Sequence, residues 1–416
     1  MSICLFWAVV AAIVLLNVLA WNSAAFCDWY IAHIFPIWVN TYGRLTGIFP
    51  FSVGEWLIVA GLLLVAAALL IGVICGIFGL VRLGKYVRFH MAGGKAERTA
   101  SSRNGRFFRI ARCYYRFFSW TLLAVCLIMT LNCLILYHAS TFSAHYFGED
   151  DGSYTSVELV ILYNMVAEKC NDLAEQIRRS DEGDAVYVSP DGTEICVRDA
   201  EGWSGGLAHM ADEAGELMAQ LGERYPQLAG WYPRPKAMLF SDFMCQQYMQ
   251  GYYFPFSMEA NYNDVMHILN IPSTMCHELA HLRGYIYEDE ANFISYLACV
   301  ESENVFFQYA GYLSVLNYLY NDVYKLWKTN PEAYEETVAV VQPAAISEQV
   351  WKDNIFVSDE EWDRINGKAL IDTEIIDAAA DVFVDTNLKV NGVSDGKISY
   401  NRVVRLLLQY YRKNIH

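Results

Sequence analysis

The residues with the most chemistry to offer are six in a row, Cys276-His277-Glu278-Leu279-Ala280-His281. They spell H-E-x-x-H. On a helix, two histidines four apart project from one face, the spacing at which two imidazoles can grip one metal ion. Glu278 stands beside them, placed to take a proton from a water on that ion. Pro272 and Ser273 read as a helix start, and Gly284 as a stop or sharp turn. A catalytic site needs a third protein ligand and one open position. Glu288-Asp289-Glu290-Ala291-Asn292 begins seven residues after His281. Glu288, or Glu290 in its place, can fold back from the start of the next helix. Two histidines and a carboxylate favour zinc as the cofactor. The plain alternative is a surface helix with two solvated histidines. The apolar Leu279, Ala280 and Leu282 and the carboxylates that follow argue against it.

Something must position these residues, and the first third of the 416-residue chain supplies an anchor. Hydrophobic residues make up 55% of the chain, with a mean hydropathy of +0.19. The excess is local. Ile3 to Trp21, Trp56 to Val81 and Phe117 to Tyr137 contain no charged residue. Each is long enough to cross about 30 Å of hydrocarbon as a helix. The expectation is a multi-pass membrane anchor over residues 1–137, with spans at about 3–21, 56–82 and 117–137. The first run would also suit a cleaved signal peptide, but Met1-Ser2 carries no Lys or Arg and Trp21-Asn22-Ser23-Ala24-Ala25 makes a poor cleavage site. Ten Lys or Arg against Glu97 alone between Arg82 and Arg116 make 83–116 a basic loop, expected on the cytoplasmic side of the cell membrane together with the N-terminus. The 22–54 segment and everything after Tyr137 are then extracytoplasmic. The aromatic residues of 22–54, Trp29, Tyr30, Phe35, Trp38, Tyr42, Phe49 and Phe51, suit the headgroup level or a packed exterior loop.

Residues 138–416 hold 19 basic against 43 acidic residues, a balance that repels phosphates and excludes nucleic acid as a partner of this region. The lipid bilayer and a peptide or protein substrate are the expected partners. The five cysteines of this region have no CxxC spacing, so neither a zinc ribbon nor a disulfide scaffold is expected, although one pair could form. The pattern is α+β and mostly helical. Helices are expected from Ser156 to about Arg179 and from Gly202 to about Arg224, with a hairpin at Ala185–Val188 and Glu194–Val197 between them. His209 reads as a helix-face residue. Strand-like segments at Lys236–Phe240, Gly251–Phe256 and Val265–Ile271 lead into the motif, and His267 on the last reads as packed or exposed. Glu259 and Asn261 between them are candidates for substrate contact, or a turn with a capping carboxylate. One long helix is expected from Glu288 to about Lys328; its Tyr309 or Tyr312 could donate to an oxyanion. The metal-site core is thus about 235–328. The tail, 330–416, reads as shorter helices, with a capping start at Ser358–Glu361. Asp385 to Gly396 matches a calcium loop only loosely, since Val390 stands where the sharp-turn glycine belongs.

H-E-x-x-H followed by E-x-x-A-N resembles the gluzincin type of zincin metallopeptidase. That resemblance implies Glu288 as third ligand, with Asn292 behind a histidine. The metzincin pattern fails at Tyr287, where a third histidine belongs. Three amino-terminal spans with G-x-x-x-P-F-x-x-E-A-N (Gly251 to Asn261), C-H-E-x-A-H-x-x-G (Cys276 to Gly284) and E-x-E-A-N-F (Glu288 to Phe293) resemble a bacterial membrane family known as domain of unknown function 3810. This resemblance implies a membrane-anchored zinc peptidase with no assigned substrate. The expected function is therefore peptide-bond hydrolysis by a zinc-activated water, with Glu278 as general base. Two rivals stand beside it. One is a membrane sensor whose zincin-like domain recognises or cleaves a dedicated partner. The other is a non-catalytic zinc module.

Overall fold

Long apolar runs can satisfy their backbone within hydrocarbon as helices, and three in this chain are helical. The structure, a computed structural model, describes residues 3–91, 102–148, 154–196, 202–369, 371–390 and 402–414. The first three long helices are α1 (Ile3–Asn22), α2 (Val53–Met91) and α3 (Ser102–Met129). The stretches apolar enough to span a membrane are Ile3–Asn22, Val53–Val81 and Gly105–His138. Much of the expected basic loop is therefore helical continuation of α2 and α3; its residues 92–101 lie outside the described residues. The spans touch one another. Asn17 Nδ2 donates to Thr130 Oγ1 at 3.0 Å, Tyr115 Oη donates to the Ala68 carbonyl at 2.7 Å, and the rings of Trp21 and His138 lie 4.5 Å apart.

Below α3 the helix widens into a π-helical turn, Thr130–Leu134. Buried Asn132 uses this end as a clamp: its Nδ2 donates to the Pro255 carbonyl at 2.8 Å, and its own carbonyl accepts from Tyr253 Oη at 3.0 Å. The clamp holds a hairpin of β5 (Gly251–Phe254) and β6 (Glu259–Tyr262). Three short strands precede it: β1 (Arg178–Arg179), β2 (Ala185–Val188) and β3 (Glu194–Ile195) form the expected antiparallel hairpin region, with Tyr187 opposite Ile195. A second sheet has the order β4 (Lys236–Ala237), β6, β5. In it β4 runs parallel to β6, and β5 antiparallel. All four residues of β6 are buried, and β5 is one of the two edges.

The remaining helices that matter here are α4 (Ser156–Gln176), α5 (Trp203–Arg224), α6 (Ile271–His281), α7 (Glu288–Val300), α8 (Val305–Thr329) and α9 (Arg402–Asn414). Thr155 and Glu158 close a reciprocal capping box on α4. One hydrophobic core runs from Ala20, Tyr30 and Phe35 through α6, α7 and α8 to Val404 and Leu407 on α9. The 22–54 segment and the end of the third span thus share a core with the residues around the motif.

Several expected elements differ. Val265–Ile271 is not a strand but a turn and one 3-10 turn, Ile268–Asn270, leading into α6. The backbone N–H of His267 finds its acceptor on Phe356, far along the chain, at 2.8 Å. Only Lys236–Ala237 of the expected Lys236–Phe240 strand pairs, because Ser241–Cys245 turns helical. The helix expected from Glu288 to Lys328 breaks after Val300. Asn304 restarts it as α8 by accepting the Phe306 N–H at 3.0 Å. All eleven cysteines are free. The loose calcium-loop match falls partly in a helix, Thr373–Val390, and its residues 391–396 lie outside the described residues.

Candidate metal centre

Helix α6 starts with Pro272 in its first turn, where a missing N–H costs nothing. Nearly every residue is buried; Cys276, Leu279 and Ala280 have no exposed surface. After His281 the chain reverses at Gly284, which adopts φ +88°. A Cβ there would stand 2.9 Å from Ile31 of the 22–54 segment, so glycine is required by both conformation and space. The reversal puts Glu288 at the first position of α7, where a carboxylate suits the helix N-terminus.

The three side chains converge. One donor atom each from His277, His281 and Glu288 lie within 4.8 Å of one another. The two Nε2 atoms are 3.1 Å apart. Glu288 Oε2 is 3.0 Å from His277 Nε2, and Oε1 is 3.9 Å from His281 Nε2. The opposite ring nitrogens are engaged. His281 Nδ1 donates to the Tyr285 carbonyl at 2.7 Å, and His277 Nδ1 to Asn292 Oδ1 at 2.9 Å. Asn292 is itself oriented by its Nδ2, 3.3 Å from Tyr318 Oη. Since a carbonyl only accepts, the neutral rings carry their proton on Nδ1 and aim bare Nε2 lone pairs at one point. Two such lone pairs repel unless a metal ion, or a proton on one ring, sits between them. Two nitrogens bound to one tetrahedral zinc stand about 3.3 Å apart, close to the separation here. The donor set therefore fits a divalent ion. Glu288, with 36% of its side chain exposed, marks the open side.

Charge in the ion-free pocket follows the same geometry. Burial opposes a charged His277, but the hydrogen bond and charge of Glu288 outweigh it and raise its pKa to about 9. Burial opposes a charged Glu288 too, yet His277 brings it down to about 2. Burial lowers His281 to about 4. Burial raises Glu278 to about 8, despite the opposing charge of His277 and a backbone N–H donated by Tyr253. Glu278 is 4% exposed, and its Oε2 has no hydrogen-bond partner. A buried carboxylate oxygen without a protein partner thus stands beside the donor set.

Strand β5 packs against this carboxylate. A Cβ on Gly251 would stand 2.5 Å from Glu278 Oε1. Tyr252, next on the strand, is 39% exposed; burial, Cys133 and Glu278 together raise its phenol above the usual range.

The other expected residues divide. Asn292 is where the pattern puts it. Glu290 is turned away: its carboxylate is buried and accepts the backbone N–H of Phe142, so it does not meet the histidines. Glu259, a candidate for substrate contact, is turned into the protein. It is 2% exposed, pairs with Lys236 Nζ at 2.5 Å, and accepts the N–H groups of Val53 at 3.1 Å and Gly54 at 2.8 Å. Asn261 is buried beside it and donates to the Tyr252 carbonyl at 3.2 Å. Tyr309 is buried and donates to Asp353 at 2.7 Å, which also pairs with Arg179. Tyr312 packs edge-on against Tyr296. His209 bonds Asp191 at 3.1 Å. Gly251, Tyr252, Tyr285 and Tyr318 were not singled out as site residues from sequence. Gly251 carried a signal, as the first residue of its motif; the others carried none.

The family described as Protein of unknown function (DUF3810) matches residues 30–408. The chain belongs to this family. The DUF3810 match takes in the second and third spans, both histidines, Glu288 and most of α9, and begins beyond α1. No curated protein and no solved structure matches the chain.

Proposed function

We propose that this DUF3810 protein is a zinc-dependent metallopeptidase of the zincin type, anchored by three transmembrane helices. In this reading its site works on the extracytoplasmic face of the cell membrane. The observation that carries the proposal is the convergence of His277, His281 and Glu288 beside the buried, half-partnered carboxylate of Glu278. His277, His281 and Glu288 would hold the ion. Zinc bound there would lower the pKa of a coordinated water towards 7 and polarise a substrate carbonyl. Glu278, whose Oε2 has no protein partner, would take a proton from a water held there and later give it to the leaving amine. Asn292 and the Tyr285 carbonyl fix the imidazole tautomers. The partly exposed Glu288 favours catalysis over a closed structural site. Sidedness rests on the basic residues of 83–116.

The test uses the full chain in detergent, loaded with zinc and offered a quenched-fluorescence peptide library, wild type beside Glu278→Gln. Wild-type cleavage, reduced about a hundredfold or more in Glu278→Gln at equal zinc content, is expected. Equal rates in the two proteins would contradict the role of Glu278.

A further inference from the structure

Two chains of contact connect the candidate metal centre with the membrane-spanning helices, and both are short. The first follows β5. Gly251, at one end, touches Glu278; Phe254, at the other, lies against Gly54 in the first turn of α2, where a Cβ would stand 2.6 Å from its ring. Three residue steps of a strand cover about 10 Å. The second follows α7. Tyr287, adjacent to Glu288, donates its hydroxyl to the carbonyl of Tyr137 at 2.6 Å, in the last turn of the apolar stretch Gly105–His138. The two contacts reach the start of the second span and the end of the third. In an up-down-up arrangement these lie at the same face of the bilayer.

An apolar surface continues from those span ends. Glu55, buried in the first turn of α2, accepts the backbone N–H groups of Leu239 at 3.0 Å and Phe240 at 2.9 Å. It thereby pins the 239–243 turn to the top of the second span. Leu239, Phe240 and Phe243 are 61%, 52% and 51% exposed, and Ile48, Phe49 and Trp56 beside the same helix start are exposed as well. Asp242, the charged residue of this turn, is paired with Arg364 at 2.7 and 2.6 Å. Large apolar side chains that extend the surface of a spanning helix belong at the interfacial level of the bilayer.

We propose that the metal centre works at the surface of the bilayer that holds the three helices, and that its substrate is a polypeptide segment attached to the same bilayer. The proposal rests on the peptidase reading and adds the substrate class. Attachment raises the effective concentration of a cleavable segment at a site near the membrane, and favours cleavage within a few residues of the anchor. About 10 Å corresponds to about three extended residues.

The experiment uses the full chain in liposomes and has two readouts. Phe240 is replaced by photoreactive benzoylphenylalanine, and its adducts are identified by mass spectrometry. Separately, zinc-loaded wild type is offered a random heptapeptide library between donor and quencher. The library is either free or carried on a single apolar 20-residue helix with spacers of 4, 8 and 20 residues. Lipid adducts, with the short-spacer anchored library cut at least tenfold faster than the free library, are expected. Adducts to protein alone, or none, would overturn the membrane placement whatever is cleaved. Lipid adducts with equal cleavage of free and anchored peptides would overturn the substrate class and leave the peptidase standing. Lipid adducts with no cleavage of any peptide would overturn the peptidase reading, and the substrate class with it, while the membrane face stays in place.

Discussion

At the scale of single residues, the site is built by removing alternatives. Tyr285 and Asn292 occupy the Nδ1 atoms of the two histidines and leave both Nε2 atoms facing Glu288. Tyr253 supplies one N–H to Glu278, and nothing meets its Oε2. Gly251 makes room for that carboxylate, so Gly251→Ala should displace it. The expected outcome is a peptidase rate lower by about ten- to a hundredfold at unchanged zinc content, since misplacement of a catalytic group by about 1 Å costs on that order. Rate and bound zinc measured on one preparation check it. The i, i+4 histidines were legible because helix geometry alone puts them on one face. Glu288 and Glu290 could not be separated that way. What separates them is the Phe142 N–H, 148 residues away in sequence, which takes Glu290 out of the pocket. The partners of Tyr309 and Tyr312, Asp353 and Tyr296, are likewise set by tertiary packing.

At the scale of elements, the polar pair Glu259 and Asn261 sits in a buried central strand, where the sequence suggested a turn or a binding edge. Alternating polarity assigns such residues to a surface. Here Glu259 is satisfied by Lys236 and by the first N–H groups of α2, acting as a remote cap on a spanning helix. Glu259→Leu would leave the Lys236 ammonium buried and without its carboxylate. Loss of one partner of a buried pair costs about 3–5 kcal/mol, and the variant should unfold at a clearly lower temperature in detergent. Thermal unfolding followed by circular dichroism measures this. The metal helix itself was legible from Pro272 to Gly284. The 3-10 entry at Ile268–Asn270 was not, because the acceptor for His267 comes from the segment around Phe356.

At the scale of the whole molecule, hydropathy revealed three spans and charge balance revealed an acidic remainder. Neither could reveal that both regions share one core. The C-terminal helix closes that core over α4, and Arg412 fastens it through Glu158 at 2.7 Å. The hydrogen bond from Arg412, with the Thr155 cap, lowers the Glu158 pKa to about 2. An unfolded chain has a glutamate near 4.3. The contribution is therefore complete above about pH 4.3 and is lost as pH falls through that value towards about 2. Because both side chains are about a third exposed, it amounts to roughly 0.5–1 kcal/mol. Glu158→Gln should lower the melting temperature at pH 7, and the difference from wild type should shrink in that acidic window. A melting series across pH checks both the size and the sign.

In the proposed reading, His277, His281 and Glu288 together bind one divalent ion. Titrating zinc into the metal-stripped full chain in detergent, by calorimetry, tests it most directly. Wild type and Glu278→Gln should each take up one equivalent, and His281→Ala should lose that uptake. No uptake by wild type, or undiminished uptake by His281→Ala, would contradict the account.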